Sequence, residues 1–131
     1  MENHSNLNIA TKCIHANEQH DQFGAVIPPI YQTSTFKFEN AQQGGRRFAG
    51  EEDGFMYTRL GNPSICALEG KIAALESGDD AEAACVSSGM AAISATLLTI
   101  LSAGDHIVSD SCLYGCTHSL FEEQFRRFGI E

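Results

Sequence analysis

The chain of 131 residues has the length of one ordinary domain, and its 43% hydrophobic content is enough to form a core. Its charge is strongly acidic: 17 acidic residues against 8 basic ones give a formal net charge of −9. Such a surface repels nucleic acid and anionic membrane, so neither is predicted as a partner. Because the sequence shows neither a membrane-spanning apolar run nor a signal-peptide pattern, a cytoplasmic protein is expected.

Five cysteines stand at irregular spacing, which predicts free thiols in a reducing compartment instead of a disulfide framework. They are Cys13, Cys66, Cys85, Cys112 and Cys116.

The first part of the sequence, up to about Thr58, is rich in turn formers and poor in periodic apolar runs. One short helix is predicted around Ile9 to Ala16, "PPIYQTSTF" is predicted to be extended, and "ENAQQGGRRFAGEEDG" is predicted to be a loop. The acidic run Glu51-Glu52-Asp53 is interpreted as solvated. So long an irregular arm is uncommon inside a compact domain, so we expect it to pack on something else, such as a neighbouring subunit.

From Asn62 the pattern becomes helical. Asn62 is a favourable N-cap, Pro63 suits the first helical position, and Gly78 can end the helix. One face of this helix is predicted to be apolar, and it consists of Ile65, Leu68, Ile72 and Leu75.

The rest of the sequence alternates short apolar strands with helices. "AEAACVS" and "DHIVSD" are predicted strands, and "GMAAISATLLTILSA" is predicted to be a buried helix, capped by Ser87 or Ser88 and stopped by Gly104. "YGCTHSLFEEQFRRFG" is predicted to be a further helix. The alternation predicts an α/β fold with a parallel sheet. The final "FGIE" resembles the approach to another strand, so we expect the chain to stop inside a larger domain.

The junction Ser87-Ser88-Gly89-Met90, between a predicted strand and a predicted helix, has a geometry that binds anions. Amides at a helix start have no partner within the helix, and Gly89 lets a phosphate approach the backbone closely. The junction is neither a dinucleotide fingerprint nor a P-loop. The alternative interpretation is a capped core helix without a ligand.

"YTRLGNPS" places a phenol and a guanidinium two residues apart. Tyr57 and Arg59 could both bind a phosphate, Arg59 through two parallel hydrogen bonds. The alternative is a surface pair beside a turn.

"LYGCT" follows the second predicted strand at its carboxyl end, where open α/β sheets bind ligands. Tyr114 could stack on an aromatic cofactor or donate a proton, and Cys116 could have a lowered thiol pKa. An unreactive, half-buried thiol is an equally good interpretation of Cys116. Cys112, Cys116 and His118 lack a fourth ligand and match no common zinc spacing, so no metal site is predicted.

In this order, "PPIYQTSTF", "RFAGEEDGFMYTR", "YTRLGNPS", "SSGMAA" and "LYGCTH" resemble the Cys/Met-metabolism family of pyridoxal-phosphate enzymes, from about Thr11 onward. The resemblance implies the N-terminal part of a fold-type I, aspartate aminotransferase-like enzyme. Residues 1–61 would be an extended arm that contacts the neighbouring subunit. Residues 62–131 would begin the α/β/α domain that binds pyridoxal 5′-phosphate. It also implies a homotetramer, a dimer of dimers with shared active sites.

The resemblance further implies roles for individual residues. Tyr57 and Arg59 would bind the cofactor phosphate of the neighbouring subunit. Gly89 and Met90 would donate backbone amides to the phosphate of their own subunit, with Ser88 beside them. Tyr114 would stack on the pyridine ring and assist proton transfer to the leaving sulfur.

The implied reaction is γ-elimination of L-methionine to methanethiol, 2-oxobutanoate and ammonia, with homocysteine or cysteine as further substrates. Most relatives carry glycine where this chain has Cys116, and cysteine there is associated with the members that cleave methionine and tunes substrate preference. Alternatives are a relative acting on cystathionine, or on O-acetylhomoserine with sulfide, and a non-catalytic truncated module. None of Lys12, Lys37 and Lys71 stands in the "S-x-T-K" context of the family's cofactor lysine, so the chain alone is expected to be inactive.

Overall fold

The structure of the chain is a computed structural model that describes residues 7–17, 21–76 and 81–131. The helices are α1 (Ile9–His15), α2 (Ala41–Phe48), α3 (Pro63–Glu76), α4 (Gly89–Ile100) and α5 (Gly115–Ser119), which continues as a π-helical segment, Leu120–Phe125. The chain divides into two compact units, Met1–Cys85 and Val86–Glu131. Among the described residues no helix is long and apolar enough to span a membrane.

Helices α1 and α3 of the first unit pack together and stabilise each other's ends. The Lys12 ammonium of α1 donates to the carbonyl of Ala74 (3.1 Å), and the Lys71 ammonium of α3 donates to the carbonyl of Ile14 (2.9 Å). Each cation therefore satisfies a carbonyl near the C-terminal end of the other helix, where the helix dipole favours positive charge. The short helix predicted near residues 9–16 is confirmed.

The buried residues of α3 are not those of its predicted apolar face. Its buried residues are the small Ala67, Ala73 and Ala74, whereas Leu68 is 51% exposed and Ile72 is 42% exposed. Small side chains face α1 because α1 approaches closely, and the larger apolar residues then point away from it. The Asn17 side chain, which donates to the carbonyl of Cys66 (2.9 Å), lies against Gly70, where a Cβ would collide with it. The predicted helix end at Gly78 lies outside the described residues.

Substitution of Gly70 by alanine tests this close approach. The added Cβ displaces the Asn17 side chain and breaks its hydrogen bonds to α3. We expect Gly70→Ala to destabilise the α1–α3 packing by about 1–2 kcal/mol, in spite of the higher helix propensity of alanine. Hydrogen exchange of the amides in α1 and α3 measures the change.

Gly45→Ala is the matched control for that substitution. Gly45 also lies inside a helix, but open space surrounds the position of its Cβ. The same change there should raise stability by about 0.5–1 kcal/mol, because alanine loses less backbone entropy on folding. Equal effects at Gly70 and Gly45 would contradict the close approach of Asn17.

Helix α2 forms where a loop was predicted, so that prediction is wrong. The Asn40 side chain caps the helix by accepting a hydrogen bond from the Gln43 amide (2.9 Å). Gly44 is buried against the ring of Phe38, and a Cβ at Gly44 would lie 3.0 Å from it. Two adjacent glycines disfavour a helix by propensity, and here the cap and the packing outweigh that preference.

Glu52 is not the solvated residue that the acidic run predicted. Its carboxylate accepts hydrogen bonds from Arg46 (2.7 and 2.9 Å), Arg47 (3.3 Å) and Gln43 (2.9 Å). Hydrogen bonding from Arg46, and then from Gln43, lowers the pKa of Glu52 below its usual range. Arg47 in turn donates to the carbonyl of Phe55 (3.3 Å). This network ties the segment before residues 57–59 to α2.

In the second unit, helix α4 starts at the predicted cap but is not buried. Ser88 is its N-cap, and the Ser88 hydroxyl accepts from the Ala91 amide (3.1 Å). No residue of α4 is buried, and Ile100 is 68% exposed. An apolar helix needs cover on several sides. Among the described helices only α5 contacts α4, so the predicted burial is wrong for the described chain. The helix ends at Ile100, and Gly104 lies beyond it in a turn with φ of +98°.

The two predicted strands have no regular secondary structure, and neither forms a ladder with another segment within the described ranges. A parallel strand requires a neighbour in the same sheet. Such a pairing begins where the Glu131 amide donates to the carbonyl of Asp105 (2.9 Å) and the Ile107 amide donates to the carbonyl of Glu131 (2.5 Å). The prediction that the final residues approach another strand is consistent with this pairing. The helix predicted from Tyr114 onward is confirmed as α5 and the π-helical segment.

Candidate functional site

Tyr57 lies at the end of a short antiparallel contact with the extended segment that precedes α2. It forms a bridge with Thr35, flanked by hydrogen bonds from the Phe36 amide to the Met56 carbonyl (3.0 Å) and from the Thr58 amide to the Ser34 carbonyl (2.9 Å). The chain then turns, because the Leu60 and Gly61 amides donate to the carbonyl of Tyr57 (2.8 and 3.1 Å). The segment "PPIYQTSTF", predicted to be extended, contains no helix and pairs with another segment at Thr35.

Arg59 projects from this turn and lies over the ring of Tyr57. Its guanidinium carbon is 5.8 Å from the ring centroid, a cation–π distance. Arg46 and Arg47 pair with Glu52, and Arg126 pairs with Glu122, whereas no carboxylate in the described part of the chain pairs with Arg59. The guanidinium is exposed and remains available to an anion.

The start of helix α4 presents unpaired amides. Within residues 81–131 and the other described ranges, no acceptor receives the amides of Gly89 and Met90. Open space surrounds the position that a Cβ of Gly89 would occupy, so a ligand can reach the backbone there. With the helix dipole, this geometry favours an anion.

Tyr114 precedes α5, the helix that contacts α4. It is the N-cap of α5, and the buried Thr117 of α5 donates its hydroxyl to the sulfur of Met90 (3.6 Å). The Tyr114 side chain is 69% exposed. Interaction with Cys116, by hydrogen bonding first and by charge second, raises the pKa of Tyr114 above its ordinary 10.0. In this chain Tyr114 therefore holds its phenolic proton and can donate it.

The Cys116→Ala variant should lower the pKa of Tyr114 towards its ordinary value, because both interactions that raise it disappear. Alkaline absorbance titration of the chain, with Tyr114→Phe subtracted, isolates this phenol. Cys112→Ala is the control. An unchanged Tyr114 titration in Cys116→Ala would contradict the coupling.

The predicted site residues fall into both units. The structure brings together Met90, Gly89 and Ser88 with the helix that Tyr114 caps, all in the second unit. Tyr57 and Arg59 form their own cluster in the first. Sequence reasoning missed a further residue beside that cluster: it assigned Asn62 the role of a helix cap only, whereas its amide also binds two other segments. In the described residues no cluster of His, Cys, Asp and Glu is suited to a metal ion.

Comparison with known proteins defines the class to which this arrangement belongs. A model of Cys/Met metabolism PLP-dependent enzymes matches residues 10–131. The L-methionine gamma-lyase of Fusobacterium nucleatum subsp. polymorphum is 58% identical over 123 residues, which are 94% of this chain and 31% of that protein. The O-acetyl-L-homoserine sulfhydrylase of Corynebacterium glutamicum is 45% identical over 92% of this chain and 28% of its own length.

Solved structures of related enzymes superimpose on this chain. A Campylobacter jejuni protein described as an O-acetylhomoserine (thiol)-lyase, which carries a pyridoxyl-lysine phosphate, superimposes with a TM-score of 0.85 at 36% identity. The match covers 96% of this chain and 31% of that one. The cystathionine gamma-lyase of Lactobacillus plantarum, complexed with L-serine, gives a TM-score of 0.77 at 33% identity, over 95% of this chain and 30% of that one.

The fold is that of the N-terminal segment of fold-type I pyridoxal-phosphate enzymes. The chain belongs to the Cys/Met metabolism family of PLP-dependent enzymes and spans about 31% of the length of the curated relatives it matches. The cofactor of this family is pyridoxal 5′-phosphate.

The residues described here fit part of that cofactor. The unpaired amides and the open backbone of Gly89 suit a phosphate, and the exposed ring of Tyr114, at the start of the helix that contacts α4, suits an aromatic ring.

Proposed function

We propose that this chain is the cofactor-phosphate segment of a carbon–sulfur lyase that cleaves L-methionine by γ-elimination. The reaction consumes one water and releases methanethiol, 2-oxobutanoate and ammonia. The observation that carries the proposal is the start of α4, where the unpaired amides of Gly89 and Met90 adjoin the helix capped by Tyr114. When bound, pyridoxal phosphate supplies the electron sink for the substrate carbanion, and the protein supplies position and charge.

Each site residue has a defined task in this proposal. The amides of Gly89 and Met90 bind the phosphate, and Ser88 keeps the first turn of α4 in place by its cap. Tyr114 would lie against the pyridine ring of the bound cofactor and give its phenolic proton to the departing sulfur. Cys116, two residues away, tunes both the phenol and the substrate preference.

Tyr57 and Arg59 are proposed to bind the phosphate held by a neighbouring subunit of a homotetramer. The guanidinium of Arg59 has no carboxylate partner in the part of the chain that the structure describes, and it is exposed. The segment before the turn also exposes large apolar side chains that suit a subunit contact, namely Phe23, Val26, Ile27 and Ile30. In this proposal residues 1–61 serve as the intersubunit arm and residues 62–131 begin the cofactor domain.

A second candidate substrate class follows from the relatives. A sulfhydrylase that acts on O-acetyl-L-homoserine matches the chain at 45% identity, so the same scaffold carries a different reaction in that protein. Cysteine at position 116 favours methionine cleavage over the sulfhydrylase reaction, because the resemblance distinguishes these two activities at that position.

Product analysis tests the proposal. The chain and the complete gene product that carries it are each supplied with pyridoxal phosphate and L-methionine, and methanethiol and 2-oxobutanoate are measured. We expect both products from the complete gene product only. Lys12 and Lys71 donate to helix carbonyls, and no lysine of the chain stands in the family's "S-x-T-K" context. If the complete gene product turns over O-acetylhomoserine or cystathionine but not methionine, the proposed substrate is wrong. If neither protein turns over any of these substrates, a non-catalytic module is favoured.

A further inference from the structure

Asn62 is the most completely bonded polar side chain near the Tyr57 turn. It is 2% exposed, and its amide nitrogen donates to the Tyr31 carbonyl (3.0 Å) and to the Thr58 hydroxyl (3.0 Å). Its amide oxygen accepts from the Ser64 amide (2.9 Å). Only the last of these bonds is needed to cap α3. The two bonds from the nitrogen instead connect α3 with the extended segment and with the turn.

Thr58 is the residue that Asn62 holds, and it lies between the two proposed phosphate ligands. Its hydroxyl donates to the carbonyl of Thr33, while its amide donates to the carbonyl of Ser34 (2.9 Å). The hydroxyl therefore joins Asn62 to the extended segment in one hydrogen-bonded chain. Thr58 is half-buried, whereas Tyr57 and Arg59 on either side of it are exposed.

The exposed side chains of Tyr57 and Arg59 contact each other but have no hydrogen-bond partner within the described ranges. Their position is therefore set by the backbone beneath them. Two groups bind one phosphate well only when both are held at the correct distance beforehand, because a flexible arginine otherwise loses rotamer entropy on binding.

We propose that Asn62 and Thr58 are positioning residues that hold the turn at residues 57–59 in a phosphate-binding geometry. The inference rests on the proposed phosphate role of Tyr57 and Arg59. It assigns to Asn62 a function that its helix-capping role does not require: the nitrogen of its amide, and not the oxygen, supports the binding of the ligand.

Neutral substitutions at Asn62 and Thr58 distinguish positioning of the turn from capping of α3. Asn62→Ser retains an N-cap side chain but is too short to reach Tyr31 and Thr58. Thr58→Val keeps the shape of threonine and removes the hydroxyl, whereas Thr58→Ser keeps the hydroxyl. Neither change alters the charge near the phosphate.

The measurement compares the affinities of the apo complete gene product for pyridoxal phosphate and for pyridoxal, by equilibrium dialysis. The dissociation constant of pyridoxal phosphate divided by that of pyridoxal isolates the contribution of the phosphate. We expect Asn62→Ser and Thr58→Val to weaken binding of pyridoxal phosphate about tenfold and to leave that of pyridoxal unchanged. Thr58→Ser should bind both as the unmodified protein does. Lys71→Met, which removes a stabilising contact at the far end of α3, should not change the ratio.

Arg59→Ala serves as the reference variant. If it raises the ratio of the pyridoxal-phosphate dissociation constant to that of pyridoxal while Asn62→Ser and Thr58→Val do not, the positioning inference is wrong and the proposed phosphate role stands. If Arg59→Ala also leaves the ratio unchanged, the phosphate role fails and the inference fails with it. Equal weakening of both ligands by Asn62→Ser and Thr58→Val would show general destabilisation and would overturn the inference.

Discussion

Arg59→Ala in the complete gene product is expected to weaken pyridoxal-phosphate binding by about 10- to 100-fold, the range for loss of a hydrogen bond to a charged group. Its guanidinium is exposed, rests on the Tyr57 ring, and has no carboxylate partner among the described residues. Because Arg59 forms no ion pair there, its removal breaks only the contact with the Tyr57 ring and otherwise acts on the ligand. Equilibrium dialysis against the cofactor measures the change.

Arg127→Ala is the matched control for charge. Arg127 is also exposed, and its side chain donates a hydrogen bond to the amide oxygen of Gln124 (3.4 Å). The variant loses the same positive charge, so it should bind the cofactor as the unmodified protein does. If both variants weaken binding equally, the effect of Arg59 is one of net charge.

Mixed oligomers test whether Arg59 acts in the neighbouring subunit. Arg59→Ala and Tyr114→Phe subunits are each expected to be poorly active alone. If each site combines Arg59 from one subunit with Tyr114 from the other, an equal mixture regains about a quarter of the activity, because half of the sites in each mixed dimer are intact. A mixture no more active than its components would show that both residues serve the site of their own subunit.

The second large effect is expected for Tyr114→Phe, which should lower kcat for L-methionine by about 100- to 10,000-fold, the range for loss of a general acid. The ring remains, so cofactor affinity should change little. The phenol of Tyr114 is exposed, and Tyr114 precedes the helix that contacts the start of α4 through Thr117 and Met90. Steady-state kinetics with methanethiol as the measured product, together with cofactor titration, separate the two effects.

Tyr31→Phe is the control for that variant. Only the backbone of Tyr31 takes part in the hydrogen bonds described, to Ser64 and from Asn62, so loss of its hydroxyl should leave kcat unchanged. A Tyr114→Phe enzyme with unchanged kcat but weaker cofactor binding would assign Tyr114 to stacking alone.

Local patterns predicted the helices and their starts because capping is decided within a few residues. The Ser88 cap, the start of α3 after Asn62, and the short helix α1 all follow from side chains that bind neighbouring amides. The anion-binding geometry at Gly89 follows from the same local rule. Helix α2 was not predicted, because two adjacent glycines have low helix propensity. Contacts between Phe38 and Gly44 and between Arg46 and Glu52 outweigh that low propensity in the folded chain.

Burial could not be predicted in the same way. Helix α4 was expected to be buried, and no residue of it is buried in the described chain. The predicted apolar face of α3 likewise leaves Leu68 and Ile72 exposed. Periodicity identifies which face of a helix is apolar, but not which element covers that face or how closely it approaches. In α3 the small residues Ala67 and Gly70 face α1, because only a surface without large side chains admits Asn17.

The sequence by itself determined the family, the cofactor and the positions of the candidate site residues, because ordered motifs and helix caps are properties of neighbouring residues. Only the tertiary structure decided how those residues are supported. Asn62 reaches Tyr31 across 31 positions, and Lys12 reaches Ala74 across 62. Contacts at such separations depend on how the chain folds back on itself, and the spacing of residues along the sequence does not contain that information.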